Sequence, residues 1–87
     1  MEYKIAIIGS HEEILGFKAF GVEPFSVRSK EDVLKAMDTV LEMKNFAVVF
    51  ITENWAEKVR ERLFTLARGA LPAVITIPNY AGTRGMG

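Results

Sequence analysis

Apolar residues along this chain fall into two kinds of segment that follow each other in turn. Residues 3–8 and 46–51 are almost continuous apolar runs, the pattern of parallel β-strands that are buried on both faces. Residues 25–28 alternate apolar and polar side chains and follow Pro24. Because proline lacks the amide proton that a sheet ladder needs, this strand is predicted at an edge. Residues 73–77, bounded by prolines, predict a fourth strand.

The segments between these strands have apolar residues every three or four positions, the spacing of an amphipathic helix. One such stripe runs through residues 33–44, and Ser29 with Asp32 resembles a capping box that starts this helix. A second stripe runs through residues 56–67, and Gly69 is predicted to cap its carboxyl end. The charged positions between the apolar ones are predicted to face solvent.

Strands that alternate with helices predict right-handed crossovers and a parallel sheet. With the proline-led second strand at an edge, the predicted strand order is 2-1-3-4 in a flavodoxin-like three-layer α/β sandwich, with helices on both faces of the sheet. This domain is predicted to span residues 1–78. Residues 79–87 contain three glycines and no helical spacing. They are interpreted as a flexible tail, the start of a missing C-terminal segment, so that the C-terminal helix usual in this fold is absent.

Composition narrows the classes of function. The chain has 87 residues, enough for one small domain, and its 11 basic and 11 acidic residues cancel. A neutral chain lacks the positive charge that binds nucleic acid or an anionic membrane surface. Cysteine is absent from the sequence, so no disulfide framework or thiolate nucleophile forms, which fits a reducing cytoplasm. No apolar run approaches the ~20 residues of a membrane span.

The turn after the first strand is the first place to look for phosphate binding. It has one glycine, Gly9, and no glycine-rich motif of the kind that cradles a phosphate. Glu12 and Glu13 would place two negative charges where the phosphate would lie, and Ser10 with Glu13 resembles a capping box. His11, the single histidine, has no oriented carboxylate or nucleophile at a helical spacing. The turn therefore predicts a structural joint, with no metal, cofactor or catalytic site.

An alternative is a small cytosolic domain that binds a nucleotide or small acid at the carboxyl ends of its strands. Ligands of open α/β sheets bind in the crevice at that edge. Here the crevice would be lined by Ser10, His11, Thr52 and Asn79. The missing phosphate-binding glycines weigh against this alternative.

Several residues are candidates for contact with another protein. The short helix predicted over residues 11–20 carries Phe17 and Phe20, more apolar surface than so short an element needs. Trp55 opens the third helix, where packing in the core is the alternative to an interface anchor, and Phe64 of the same helix is predicted to pack. The exposed edge of the fourth strand adds further candidates. The predicted partner interface comprises Phe17, Phe20, Trp55, Thr76 and Tyr80.

Three stretches of the chain carry a resemblance to a known family. They are IAIIGS followed by ILGFKAFGVE, then VVFITENWAEKVRE, and then LPAVITIP. In this order they resemble the F subunit of the archaeal and bacterial V-type (A-type) ATP synthases, over nearly all of residues 3–78. The segment ITENWAEKVRE is the most specific part of the match. Many members of the family have an acidic residue where this chain has Ser10.

The resemblance implies a non-catalytic component of the central stalk, without an active site or cofactor of its own. In that family the protein forms the rotor shaft with the coiled-coil D subunit. Through this shaft, ATP turnover in the A/B head is coupled to proton or sodium transport through the membrane rotor. The implied location is cytoplasmic and peripheral to the membrane, in the V1/A1 sector, without direct membrane contact. The family ordinarily continues past the fourth strand into a C-terminal helix that engages the stalk.

Overall fold

The computed structural model describes residues 2–69 and 71–78. Its elements alternate as the sequence predicts, and the first helix continues from an α-helical turn into a 3₁₀ segment, Leu15–Phe20. The strands are β1 (Lys4–Gly9), β2 (Glu23–Ser26), β3 (Phe46–Thr52) and β4 (Ala73–Ile77). The α-helices are α1 (His11–Ile14), α2 (Lys30–Met43), α3 (Glu53–Lys58) and α4 (Arg60–Ala67).

The described strands form one parallel sheet of order β2-β1-β3-β4, which confirms the predicted flavodoxin-like order. Pro24 of β2 pairs with Ile7 of β1 at the outer edge of the sheet, as its missing amide proton requires. β1 and β3 lie at the centre, in register from Ile5 opposite Val48 to Ile8 opposite Ile51. The predicted domain span of residues 1–78 covers all of these strands, and the tail at 79–87 lies outside the described residues.

One face of the sheet, here called the core face, carries the main hydrophobic core. Ala6 and Ile8 of β1 lie in register with Val49 and Ile51 of β3, and all four are at most 1% exposed. Helices α2, α3 and α4 pack on this face with the apolar stripes that the sequence predicts: α2 on β1 and β3, α3 on β3 and β4, and α4 on β4. The buried residues of these stripes are Val33, Ala36, Met37, Val40, Trp55, Ala56, Val59 and Leu66.

The opposite face, here called the second face, is covered over only part of its width. Ile7 of β1 and Ile14 of α1 are buried there, outside the main core cluster. Nearer the amino end of β1, Ile5 is 39% exposed, and across the sheet on β4, Ile75 is 44% exposed. The described residues therefore put helices on both faces, with α2, α3 and α4 on the core face and the first helix on the second.

Helix ends follow the predictions at some positions and correct them at others. Gly21 ends the first helix in the left-handed conformation at φ 74°. Ser29 caps α2 as predicted, and its hydroxyl accepts the amide of Asp32 at 3.2 Å. Gly69, however, does not cap α4 in the left-handed conformation. Instead, the amides of Arg68 and Gly69 bond three residues back at 3.3 Å, which satisfies the last carbonyls by a 3₁₀-type turn.

The third predicted helix is divided in two. Val59 has φ −124° and ψ 30°, which ends α3, and α4 begins at the next residue. Valine is β-branched and a weaker helix former than the Lys and Arg beside it, so a break costs less there than at its neighbours. Val59 stays only 3% exposed, so the break does not remove it from the apolar stripe.

Candidate functional site

The carboxyl ends of β1 and β3 form the place where an open α/β sheet of this order binds ligands, because the chain leaves these neighbouring strands in opposite directions. The turn after β1 starts α1, and Thr52 at the end of β3 starts α3. The ligand-binding alternative places Ser10, His11, Thr52 and Asn79 at this point. The structure brings Ser10 and Thr52 together here, leaves His11 exposed, and does not describe Asn79.

The Glu13 carboxylate joins the two turns. Its Oε1 accepts the backbone amide of Ser10 at 2.8 Å, the carboxylate half of the capping box that the sequence predicts. The same oxygen accepts the hydroxyl of Thr52 at 3.0 Å. Thr52 is 2% exposed, and its hydroxyl also lies 2.9 Å from Asn54 Oδ1. A buried hydroxyl needs a partner, and here it finds one within the protein.

Trp55 closes the other side of this crevice. Its indole Nε1 donates to Ser10 Oγ at 2.9 Å, and the residue is only 8% exposed. An indole has a single hydrogen-bond donor, so this bond satisfies the one polar group of the side chain. Lys58 Nζ lies 5.8 Å from the ring centroid, within the range of a cation–π contact. Trp55 is therefore packed in the free chain, and its role as an interface anchor stays a prediction.

Gly9 has a packing explanation that requires no phosphate. A Cβ added there would lie 3.1 Å from Glu13 Oε1, 3.2 Å from Thr52 Cγ2 and 3.3 Å from Ile14 Cγ2. The absence of a side chain thus lets α1 and the end of β3 approach the turn closely. Because a carboxylate already faces the amide that opens α1, an incoming phosphate would meet a negative charge. The crevice is an internal joint between the first and third strand–helix units.

Metal binding finds no support in the described part of the chain. Among residues 2–69 and 71–78 no cluster of three or more histidine, aspartate or glutamate side chains is placed to hold an ion. Over the same ranges, no helix is long and apolar enough to cross a membrane.

The predicted interface residues lie in different parts of the molecule. Phe17 is half-buried on the 3₁₀ segment, and Thr76 is exposed on β4. The side chain of Phe20 and the whole of Tyr80 lie outside the described residues. The predicted partner interface, which also includes the buried Trp55, therefore stays a prediction.

Phe64 is an exposed aromatic residue that was predicted to pack. It is 69% exposed on α4, although its place in the sequence predicts packing. It lines a groove of about 710 Å³ with Leu63, Val74 and Thr76, beside the outer edge of β4. A helical spacing of four places Phe64 in line with the exposed Arg60, the signal that identifies its solvent-facing side.

Comparison with known proteins gives the family that the sequence matches. The sequence model of the family described as ATP synthase (F/14-kDa) subunit matches residues 5–87. The V-type ATP synthase F subunit of Clostridium perfringens is 39% identical over 87 residues, which are 100% of this chain and 82% of that protein. The A-type ATP synthase F subunit of Methanocaldococcus jannaschii is 26% identical over 80 residues, 91% of this chain and 78% of that protein.

A solved structure matches the fold. The V-type ATP synthase F subunit of Archaeoglobus fulgidus superposes with a TM-score of 0.74 at 22% sequence identity. The match covers 88% of this chain and 99% of that chain. At this identity the likeness supports the four-stranded parallel architecture described above.

Proposed function

The chain belongs to the family of the ATP synthase (F/14-kDa) subunit, and on that premise we propose that it is a non-catalytic central-stalk component of a V/A-type ATP synthase or ATPase. In this role it turns as part of the rotor and helps couple ATP hydrolysis or synthesis to proton or sodium transport. Its direct partner is the coiled-coil D subunit, here called the stalk partner, which connects it with the A/B head and the membrane rotor. Its place is in the V1/A1 sector, on the cytoplasmic side and peripheral to the membrane.

The hydrogen bonds among the residues that line the crevice are the structural observation that supports a non-catalytic role. Ser10, Thr52 and Trp55 use their polar groups on each other and on Glu13 at distances of 2.8–3.0 Å. An enzyme of this fold directs such groups at a substrate, with a nucleophile, a base and room between them. Here the same edge of the sheet holds two strand–helix turns together, so the chain is suited to serve as a rigid body that carries contacts.

Complex formation with the stalk partner of the same organism tests the proposal. Size-exclusion chromatography with light scattering should give a one-to-one complex with the 87-residue chain or with a version that carries its natural downstream sequence. A complex with either form supports the stalk role, and a difference between the two forms assigns part of the contact to the downstream residues. If neither form binds the stalk partner, the proposed function is overturned and the ligand-binding alternative returns.

A further inference from the structure

The two edges of the sheet differ in how they are protected against pairing with another strand. At the β2 edge, Pro24 removes one amide proton, Glu23 supplies an exposed charge, and the 3₁₀ segment packs beside the strand. β4 contains no charged residue and no proline. Its five residues pair in regular register with β3, and no described strand lies beyond them. The outer backbone groups of β4 therefore form a template for one more strand.

The groove with the exposed Phe64 runs beside this edge, on the core face of the sheet. Phe64 lines it with Val74 and Thr76, which lie in register with core-face residues of β3. Val74 and Thr76 flank Ile75, the middle residue of β4. Phe64 therefore lies near the middle of the edge. An occupant of the β4 edge has to pair with the strand and to cover this aromatic side chain, since exposed apolar patches of this kind mark interaction sites.

A second copy of the chain meets both requirements in one arrangement. Antiparallel pairing of the two β4 strands about a two-fold axis places Ile75 opposite Ile75 and Ala73 opposite Ile77. Opposite residues of such a pair project from the same face. The core faces of the two copies are then continuous, and each α4 lies on the same side of the joined sheet, so that each Phe64 approaches the groove of the other copy. A single extended peptide would pair with the edge but bring no helix to the groove.

Charge does not oppose this pairing. One basic and one acidic residue, Arg60 and Glu61, line the groove, and β4 itself is uncharged. The whole chain has 11 basic and 11 acidic residues. Because a large net charge keeps protein copies apart, two copies of this chain meet without net repulsion. The β4 edge is therefore complementary to an identical edge in hydrogen bonding, apolar surface and charge.

We propose that the outer edge of β4 binds the same edge of a second copy of the free chain, so that two four-stranded sheets become one continuous sheet. This dimer does not rest on the proposed function, because no other protein takes part. A strand of five residues and one groove form a small contact. The association is therefore weak, as in small transient interfaces.

The mass of the free chain in solution tests the dimer. In sedimentation equilibrium, the mass should rise from 9.7 kDa towards twice that value as the concentration is raised to about 1 mM, where a millimolar dissociation constant already gives a measurable fraction of dimer. A mass that stays at 9.7 kDa over this range overturns the proposal. A mass beyond that of two copies also overturns it, because a two-fold arrangement closes at two.

Single cysteines test the pairing, because the chain contains none. Opposite residues of an antiparallel pair have Cα atoms about 4.5–5.5 Å apart, a separation that a disulfide can span. Ile75→Cys should therefore give a disulfide-linked dimer under mild oxidation. Leu15→Cys is the matched control, since Leu15 is 51% exposed against 44% for Ile75 and lies on the 3₁₀ segment, beside β2. Equal yields at the two positions would come from random collision and would overturn the proposed pairing.

A mixture of two variants tests the direction and register. Ala73→Cys and Ile77→Cys chains should link to each other, because these positions lie opposite in the antiparallel arrangement. Two copies of Ala73→Cys should link about tenfold less, since four residues separate each from the opposite position, about 13 Å along the strand. Links within one variant that match those between the two would indicate parallel pairing and contradict the proposal.

Substitution of Phe64 tests the contact of the groove. Phe64→Ser should raise the dissociation constant of the dimer about tenfold or more, as for an aromatic residue near the centre of an interface. Tyr3→Ser is the control, because Tyr3 is also an exposed aromatic residue but precedes β1. It should change the constant by less than about threefold, as a residue outside the contact. Circular dichroism checks that both variants are folded. Equal dissociation constants for the two would remove the groove from the contact and overturn the proposed arrangement.

Discussion

Thr52 is the residue on which the joint between the two turns depends. It is 2% exposed, and its hydroxyl donates to a carboxylate that lies 39 positions away in the sequence, on Glu13. Thr52→Val keeps the shape of the side chain and removes the donor. We expect the free energy of unfolding to fall by about 1–3 kcal/mol, the cost of a lost hydrogen bond to a charged group. Urea denaturation followed by circular dichroism measures this change.

Thr39 supplies the matched control for that substitution. Its hydroxyl also donates a hydrogen bond, at 3.0 Å to the carbonyl of Lys35, but the residue is exposed on α2. Water replaces this bond when it is lost, so Thr39→Val should change stability by less than about 0.5 kcal/mol. Equal effects at positions 39 and 52 would show that the contact with Glu13 has no special weight.

The bond between Trp55 and Ser10 is the second contact that determines the geometry of the joint. A double-mutant cycle with Trp55→Phe and Ser10→Ala separates the hydrogen bond from the loss of aromatic packing. We expect a coupling energy of about 1 kcal/mol, because the indole donor and the hydroxyl acceptor satisfy each other at 2.9 Å. Denaturation of the two single variants and the double variant measures it. Strictly additive losses would mean that Trp55 contributes by packing alone.

Among the elements, the first helix shows how a left-handed residue determines where a segment ends. Gly21 has φ 74°, whereas Gly16 in the same 3₁₀ segment is not in the left-handed region and has open space around its Cα. Gly21→Ala should destabilise the chain by about 1–2 kcal/mol, the cost of a left-handed L-residue. Gly16→Ala should be neutral or stabilising by up to about 1 kcal/mol, since it restricts only the unfolded chain. Thermal unfolding distinguishes them, and equal shifts would contradict the assigned conformation of Gly21.

An element of secondary structure can be predicted from the sequence when the interactions that form or end it are local. Strand β3 can be predicted from the sequence because both of its faces are apolar. The edge position of β2 can be predicted because Pro24 lacks an amide proton. The break at Val59 cannot be predicted, because the stripe of apolar residues continues through it without change of spacing. The helix ends at Gly21 and Gly69 look alike in sequence, yet only Gly21 is left-handed.

In the whole molecule, long-range contacts account for what the sequence could not predict about the candidate site. The capping role of Glu13 is local and predictable, but its bond to Thr52 and the bond from Trp55 to Ser10 span 39 and 45 positions. No short-range pattern encodes such contacts. Phe64 differs from these contacts, because its helical spacing of four from the exposed Arg60 is a local signal of its exposure. The layers are predicted correctly because layer formation follows from hydrophobic spacing.

The ligand-binding alternative and the proposed stalk role predict different effects on the melting temperature of the chain. A ligand at 100 times its dissociation constant stabilises the folded state by ~2.7 kcal/mol. We expect no shift of the melting temperature with nucleotides, flavins or sugar phosphates, because the hydroxyls of Ser10 and Thr52 already bond within the chain. The stalk partner, at a similar excess over its own dissociation constant, should raise the melting temperature, since it binds only the folded chain. If a small ligand shifts the melting temperature and the stalk partner does not, the crevice is a ligand-binding site and the proposed function is wrong.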